Sequence, residues 1–217
     1  MAVLLLRLAA PLQAWGSSES KYNFRNTQRK PTKSGVIGMI AAALGMQRNA
    51  GAEMLTDLNA LRFGVRIERE GKLLRDFHMV STAPKPDVTE RCYLCDAVFL
   101  AALESDDTAL LERIETALQN PVYPLYLGRR SCPPTLPLVL GIRTGQLSEV
   151  LQAEPALGEY GSGRKRIVLE SKTGNQIVQD VPLSFSQLHR QHGYRRIEEI
   201  WQPAADVQTE HDAFAEL

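Results

Sequence analysis

The sequence predicts an α+β fold, an antiparallel sheet with helices packed on one face. Three observations carry this. Residues 3–8 form a short apolar run, the mark of a central strand. Phe63, Val65 and Ile67 alternate with Arg62, Arg66 and Glu68, the two-residue period of a half-exposed strand. Leu110, Leu111, Ile114 and Leu118 recur at helical spacing behind a capping Asp106 or Asp107.

The elements follow in order. The first apolar run ends at Ala9-Ala10-Pro11. Residues 13–32 show no apolar periodicity and read as a long polar loop, and so long a loop in a compact domain is usually functional or mobile. Thr32 or Ser34 caps a helix over 35–46, where Gly38, Ala41, Ala42 and Ala43 allow close packing on a sheet and Gly45 is a stop. Residues 52–61 read as a second short helix, with Met54, Leu55 and Leu58 on one face. After the alternating strand at 62–69, residues 73–80 read as another strand. Residues 81–91, with Pro84 and Pro86, read as an exposed excursion, and 92–103 as a strand. The helix that follows runs to Gln119, and 138–142 is the next strand.

This order of strand, helices, strand, strand, helix, strand is the split βαβ arrangement of ferredoxin-like domains, RNA-recognition-motif folds among them. Such a sheet leaves its other face free. From Gly158 onward, short strands at 167–169, 177–178 and 197–201 are separated by glycine-containing turns. Residues 1–145 are therefore read as an RNA-recognition-motif-like domain and 146–217 as a small β-rich C-terminal subdomain.

With 217 residues, 44% hydrophobic and 23% charged, the chain has the make-up of an ordinary globular protein. No apolar run approaches the roughly 18 residues that a membrane span needs. The apolar start has no basic lead-in and no small-residue cleavage pattern, so it reads as a buried strand of a cytoplasmic protein. Cys92 and Cys95 fall three apart on a strand and point to opposite faces, so they do not converge on a metal. With Cys132 they read as free thiols in a reducing compartment. His189 and His192 have no acidic or cysteine partner nearby. No phosphate-binding Walker loop and no nucleophile elbow is present. No metal or cofactor is expected.

Net charge is zero, but the charges are segregated. Lys21, Arg25, Arg29, Lys30 and Lys33 form a stretch without acids. Arg129, Arg130 and Arg143 form a second, Arg164, Lys165 and Arg166 a third, and Arg190, Arg195 and Arg196 a fourth. The acids Asp206, Glu210, Asp212 and Glu216 lie beyond the last basic residue. A neutral total can hide a positive face, and a polyanion responds to local potential.

The segment Tyr126-Leu127-Gly128-Arg129-Arg130-Ser131-Cys132-Pro133-Pro134 is the most telling. Its prolines exclude a helix, and Gly128 permits a sharp turn or close backbone approach. The loop presents two forked cations, which suit phosphate or carboxylate. A salt-bridged surface loop is the plainer alternative. Aromatic Trp15, Tyr22, Phe24 and Tyr126 lie among these cations, as single-stranded nucleic-acid binding requires. Trp15 and Tyr126 also suit a core. Asp76 and His78 share a strand face, as an acid–base pair or a surface hydrogen bond.

Several motifs together resemble a known family. They are Leu6-Arg7-Leu8 with Pro11-Leu12-Gln13-Ala14-Trp15-Gly16, Pro31-Thr32-Lys33-Ser34-Gly35-Val36-Ile37-Gly38, and Ala43-Leu44-Gly45-Met46-Gln47-Arg48. Asp76-Phe77-His78, Tyr93-Leu94-Cys95-Asp96-Ala97 and the arginine loop complete the series. The chain resembles, up to about residue 142, the Cas-five family subunit of the type I-E CRISPR surveillance complex Cascade.

The resemblance implies an RNA-recognition-motif-like domain with a protruding thumb hairpin, here about residues 78–93. It implies a subunit that grips the five-prime handle of the guide RNA, caps the filament of CasC backbone subunits and contacts the large subunit CasA. In type I-E systems another subunit, CasE, cuts the precursor, so the implied role is binding and not catalysis. Arg129 and Arg130 are expected to hold phosphates, with Lys33, Arg29 and Arg25 adding contacts. Trp15 or Tyr22 would stack on a base or shape its pocket, and Ser34, Gly35 and Ser131 would line the path of the RNA. The rival reading is a metal-independent endoribonuclease acting on CRISPR repeat RNA, with Tyr22, Lys21 and His78 supplying acid–base groups.

Overall fold

A computed structural model of the chain describes residues 1–16, 23–48, 55–82, 85–158, 165–186 and 189–202. The order of elements is β1 (Ala2–Ala9), β2 (Leu12–Gln13), β3 (Phe24–Arg25), α1 (Lys33–Ala43), α2 (Thr56–Ala60), β4 (Arg62–Arg69), β5 (Lys72–Thr82), β6 (Lys85–Cys95), β7 (Val98–Ser105), α3 (Thr108–Gln119), β8 (Val139–Thr144), α4 (Leu147–Ala153), β9 (Lys165–Glu170), β10 (Gln176–Ser184) and β11 (Gln191–Gln202). It is a mixed α and β structure with mostly antiparallel sheets.

Two sheets organise the chain. The larger has seven strands in the order β10-β11-β9-β4-β7-β1-β8. The smaller joins β2, β6 and β3, with β5 paired to β6. β1 lies between β7 and β8, pairing antiparallel with both, and nearly all its residues are buried. Its leucines alternate between two cores. Leu4, Leu6 and Leu8 meet α1, α2 and α3, while Val3 and Leu5 face α4. Each buried leucine contributes about 2 kcal/mol.

Local signals set the helix ends. The Thr32 hydroxyl accepts from the Gly35 amide at 3.2 Å and caps α1. α1 is apolar around most of its circumference and correspondingly buried. It stops at Gly45, whose φ is +75°. There the amides of Gly45 and Met46 reach back to the carbonyls of Ala42 and Ala41 at 3.1 and 2.9 Å, satisfying two end carbonyls. Asp107 caps α3 by accepting from Leu110 N at 3.0 Å.

Several expectations are corrected. The sheet does not carry helices on one face only, because α4 packs on the other through Leu147, Val150 and Leu151. β4 is not half-exposed, since Arg66 is 1% exposed and Glu68 is also buried. Arg66 donates to Glu68 at 2.6 Å and to the carbonyls of Leu151, Glu154 and Pro155, closing the end of α4, and Lys165 pairs with Glu68. Residues 92–103 are not one strand, because the chain turns at Asp96, φ 54°, between β6 and β7. The stretch read as an exposed excursion, described at 81–82 and 85–91, is strand: it forms the facing ends of the β5–β6 hairpin, whose register runs from Lys72↔Cys95 to Thr82↔Lys85. Among the strands after residue 146, β9 pairs with β4 and extends the central sheet.

Candidate nucleic-acid interface

The arginine loop is a tight hairpin pinned to the segment after β2. Ala14 N donates to Leu127 O at 3.0 Å, Leu127 N to Cys132 O at 2.7 Å, and Cys132 N to Arg129 O at 2.9 Å. Arg130 and Ser131 sit exposed at the tip, while Leu127 and Cys132 are buried beneath it. Burial pushes the Cys132 thiol pKa up, so it stays protonated. Gly128 turns with φ +91° against the backbone of Ala14.

The two arginines have different surroundings. The Arg129 guanidinium lies 4.5 Å from the centroid of the Tyr93 ring and donates to Cys92 O at 3.1 Å and to Arg25 O at 2.9 Å. It ties the loop to β3 and to the root of the β5–β6 hairpin. Arg130 is exposed and makes no hydrogen bond or ion pair with any described residue.

A groove of ≈ 1910 Å³ opens beside the loop. Arg25, Arg48, Arg129, Arg130 and Arg190 line it, with Trp15, Tyr123, Tyr126 and Phe185 among them. No Asp or Glu is among the described residues that line it. The α1 residues Ser34, Gly35 and Gly38 complete one stretch of wall. Guanidiniums with no carboxylate between them among the described residues favour a positive field in a concave site, where low-dielectric walls strengthen it.

The expected site residues therefore separate. Arg25, Arg129, Arg130, Ser34 and Gly35 come together at the groove. Trp15 lines it too, but it is 1% exposed and is a core residue. Its indole N–H donates to Gln13 at 3.1 Å, and its ring fills the space where a Gly35 Cβ would stand. It shapes the groove and has no open face for a base. Ser131 is exposed at the loop tip but does not line the groove. Arg29 is exposed in a separate cavity of ≈ 320 Å³ with Phe24 and Arg75. Tyr22 and Lys21 lie outside the described residues.

Lys33 does not line the groove. It is 1% exposed, and its ammonium donates to Glu170 at 2.9 Å and to Asn59 O at 2.9 Å. Burial pulls its pKa down, and Glu170 opposes that. Lys30 is likewise paired, with Glu199 at 2.9 Å. The cationic stretch lacks acids in sequence but meets them in space, because β9 and β11 bring Glu170 and Glu199 to it. Arg48, Arg190 and Tyr123 were missed as groove residues. The fourth basic cluster is the available signal, and of its three arginines Arg190 alone makes no hydrogen bond or ion pair with a described residue. Arg195 is held by Asp180 at 2.6 Å, and Arg196 donates to Gly174 O at 3.1 Å.

Asp76 and His78 lie in contact on the β5–β6 hairpin and do not line the groove. Among the described residues no group of three or more His, Cys, Asp or Glu side chains is placed to hold a metal, and no helix is long and apolar enough to cross a membrane.

The comparisons with known proteins agree with one another. The sequence profile of the family described as CRISPR-associated protein (Cas_Cas5) matches residues 3–198. The chain is 37% identical over 198 residues to the CRISPR system Cascade subunit CasD of Escherichia coli (strain K12), covering 80% of this chain and 84% of that one. A solved chain described as a CRISPR RNA-guided surveillance complex superposes with a TM-score of 0.78 at 32% identity, over 93% of this chain and 90% of its own. A second, described as the crystal structure of a Cas protein, gives 0.73 at 37% identity, over 93% and 95%. With the profile spanning most of its length and a relative this similar, the chain belongs to the Cas5 family of CRISPR-associated proteins.

Proposed function

We propose that this chain is a non-catalytic subunit of a type I-E CRISPR Cascade complex, and that it grips the five-prime handle of the guide RNA. The observation that carries the reading is the arginine-lined groove beside the arginine loop, with no Asp or Glu among the described residues that line it. Arg130 and Arg25 meet backbone phosphates there, and Arg48 adds to the field. Arg129 contributes charge, but its main work is to brace the loop. Tyr126 and Tyr123 offer ring faces to bases. Arg29 and Ser131 stand beside the path of the RNA and not in the groove.

The central strands in the order β4-β7-β1-β8, joined through α1 and α3, support a ferredoxin-like core. The β5–β6 hairpin corresponds to the thumb. Its exposed Phe77, Met79 and Val88 offer an apolar surface to a neighbouring subunit. In the assembly the neighbours are the CasC backbone and the large subunit CasA, and the site of action is the cytoplasm. That the matched relatives are a Cascade subunit and an RNA-guided complex supports this placement.

The test is the salt dependence of guide-RNA retention in the reconstituted complex. Arg130→Ala flattens it by roughly 0.7 log units per log salt if Arg130 makes one phosphate contact. An unchanged slope and affinity would remove the assignment.

A further inference from the structure

One wall of the groove comes from the C-terminal strands, beyond the motifs that carry the family resemblance. Gln179, Leu183, Phe185, Arg190, Gln191 and His192 line it, all from β10, β11 or their connection. Although β10 is the outermost strand of the large sheet, this wall is fixed to α1. Asp180 on β10 accepts from the Lys33 backbone amide at 2.9 Å, and Phe185 lies 3.4 Å from where a Gly38 Cβ would stand. The wall is therefore rigidly placed relative to the arginine loop.

Its polar groups are not equally available. Asp180, the acid closest in sequence to the lining residues of β10, has both oxygens bound by Arg195 at 2.6 and 2.8 Å. Arg190 is exposed and has no hydrogen bond or ion pair with any described residue. Burial, and then the charge of Arg190, lower the His192 pKa, so its imidazole is neutral at pH 7 and offers one donor and one acceptor. Gln179 spans the hairpin, donating to His192 O at 3.2 Å and fixing the backbone that carries the ring.

We infer that Arg190, His192 and Phe185 form a nucleotide subsite for single-stranded RNA on the C-terminal wall of the groove. Arg190 takes a backbone phosphate, the imidazole of His192 meets the polar edge of a base, and the half-buried Phe185 supplies an apolar side for it. The C-terminal strands thus belong to the RNA grip and do more than extend the sheet. This subsite rests on the RNA-binding reading above, and the experiment separates the two.

The complex is reconstituted with Arg190→Ala, Arg190→Lys, His192→Ala or Arg130→Ala, and guide-RNA retention is measured across salt concentrations. Arg190→Ala is expected to weaken retention about tenfold and to flatten the salt slope by roughly 0.7, with the slope restored by Arg190→Lys. His192→Ala is expected to weaken retention with the slope unchanged. Ultraviolet crosslinking of the intact wild-type complex is expected to join RNA to the peptide bearing His192. If Arg190→Ala leaves affinity and slope intact while Arg130→Ala lowers both, the subsite is wrong and the RNA-binding reading stands. If neither variant changes them, both readings fall. Weakened retention with an unaltered slope for Arg190→Ala also overturns the phosphate contact.

Discussion

Gly128 passes against Ala14 so closely that a Cβ on Gly128 would overlap the Ala14 carbonyl oxygen, and its φ of +91° is one that residues with side chains rarely adopt. Gly128→Ala therefore meets strain and overlap together, and the obstacle is backbone that cannot swing aside. The expected loss is about 3 kcal/mol in chemical denaturation, with guide-RNA retention reduced because the loop is displaced. A variant as stable as the wild type would contradict the pinned hairpin.

Arg129→Ala should behave differently from Arg130→Ala. It removes hydrogen bonds to two carbonyls and the contact with Tyr93, costing about 2 kcal/mol. Arg129→Lys should not recover this, because one ammonium cannot reproduce a planar fork stacked on a ring. Hydrogen exchange is the measurement. The amides near Arg25 and Tyr93 should exchange faster in both variants and remain unchanged in Arg130→Ala.

Lys33→Met tests whether this lysine serves structure or RNA. Removing the ammonium leaves the Glu170 carboxylate with the Phe63 amide at 3.2 Å and the Arg195 guanidinium at 3.8 Å, and the expected destabilisation is about 3 kcal/mol. The salt slope of RNA retention should not change. A flattened slope in a stably folded variant would return Lys33 to the phosphate contacts.

Acid should loosen the junction between the polar loop and β11. The hydrogen bond from Lys30 holds the Glu199 carboxyl below its ordinary value of 4.5, against the opposing effect of burial. A carboxyl whose pKa is depressed by folding adds stability above its unfolded pKa and loses it as pH falls through the folded one. This part of the stability is therefore present at neutral pH and lost below about pH 4.5. Glu199→Gln should be less stable at pH 7 and show a shallower decline in acid, read from denaturation midpoints across pH.

What could be read from the sequence was what neighbours settle between themselves. Thr32, Asp107 and Gly45 act within a few residues of where they stand, and each cap or stop lies where its type and spacing place it. The alternation of β4 predicts a polar outer face because nothing local to Arg66 and Glu68 shows that Lys165 and the end of α4 bury them. Lys33 deceived in the same way, since Glu170 is distant in sequence and adjacent in space. The start of α4 is marked by Gln146 and Glu149, whose carboxylate accepts from the Gln146 amide at 3.4 Å. The arginine loop was legible as a cationic hairpin, but the division of labour between Arg129 and Arg130 depends on Tyr93, Cys92 and Arg25, which only the fold assembles.

The insertion of β9 between β4 and β11 bears on how the chain is made. During synthesis β4 emerges long before its outer neighbour, so the hydrogen-bonding groups of Gly64–Ile67 that face β9 stay unmet until residues 166–169 leave the ribosome. Until then that margin is a template for any other extended segment, including one from a second nascent copy. A fragment cut after residue 145 would carry the same raw margin for its whole lifetime, and aggregation is its natural fate.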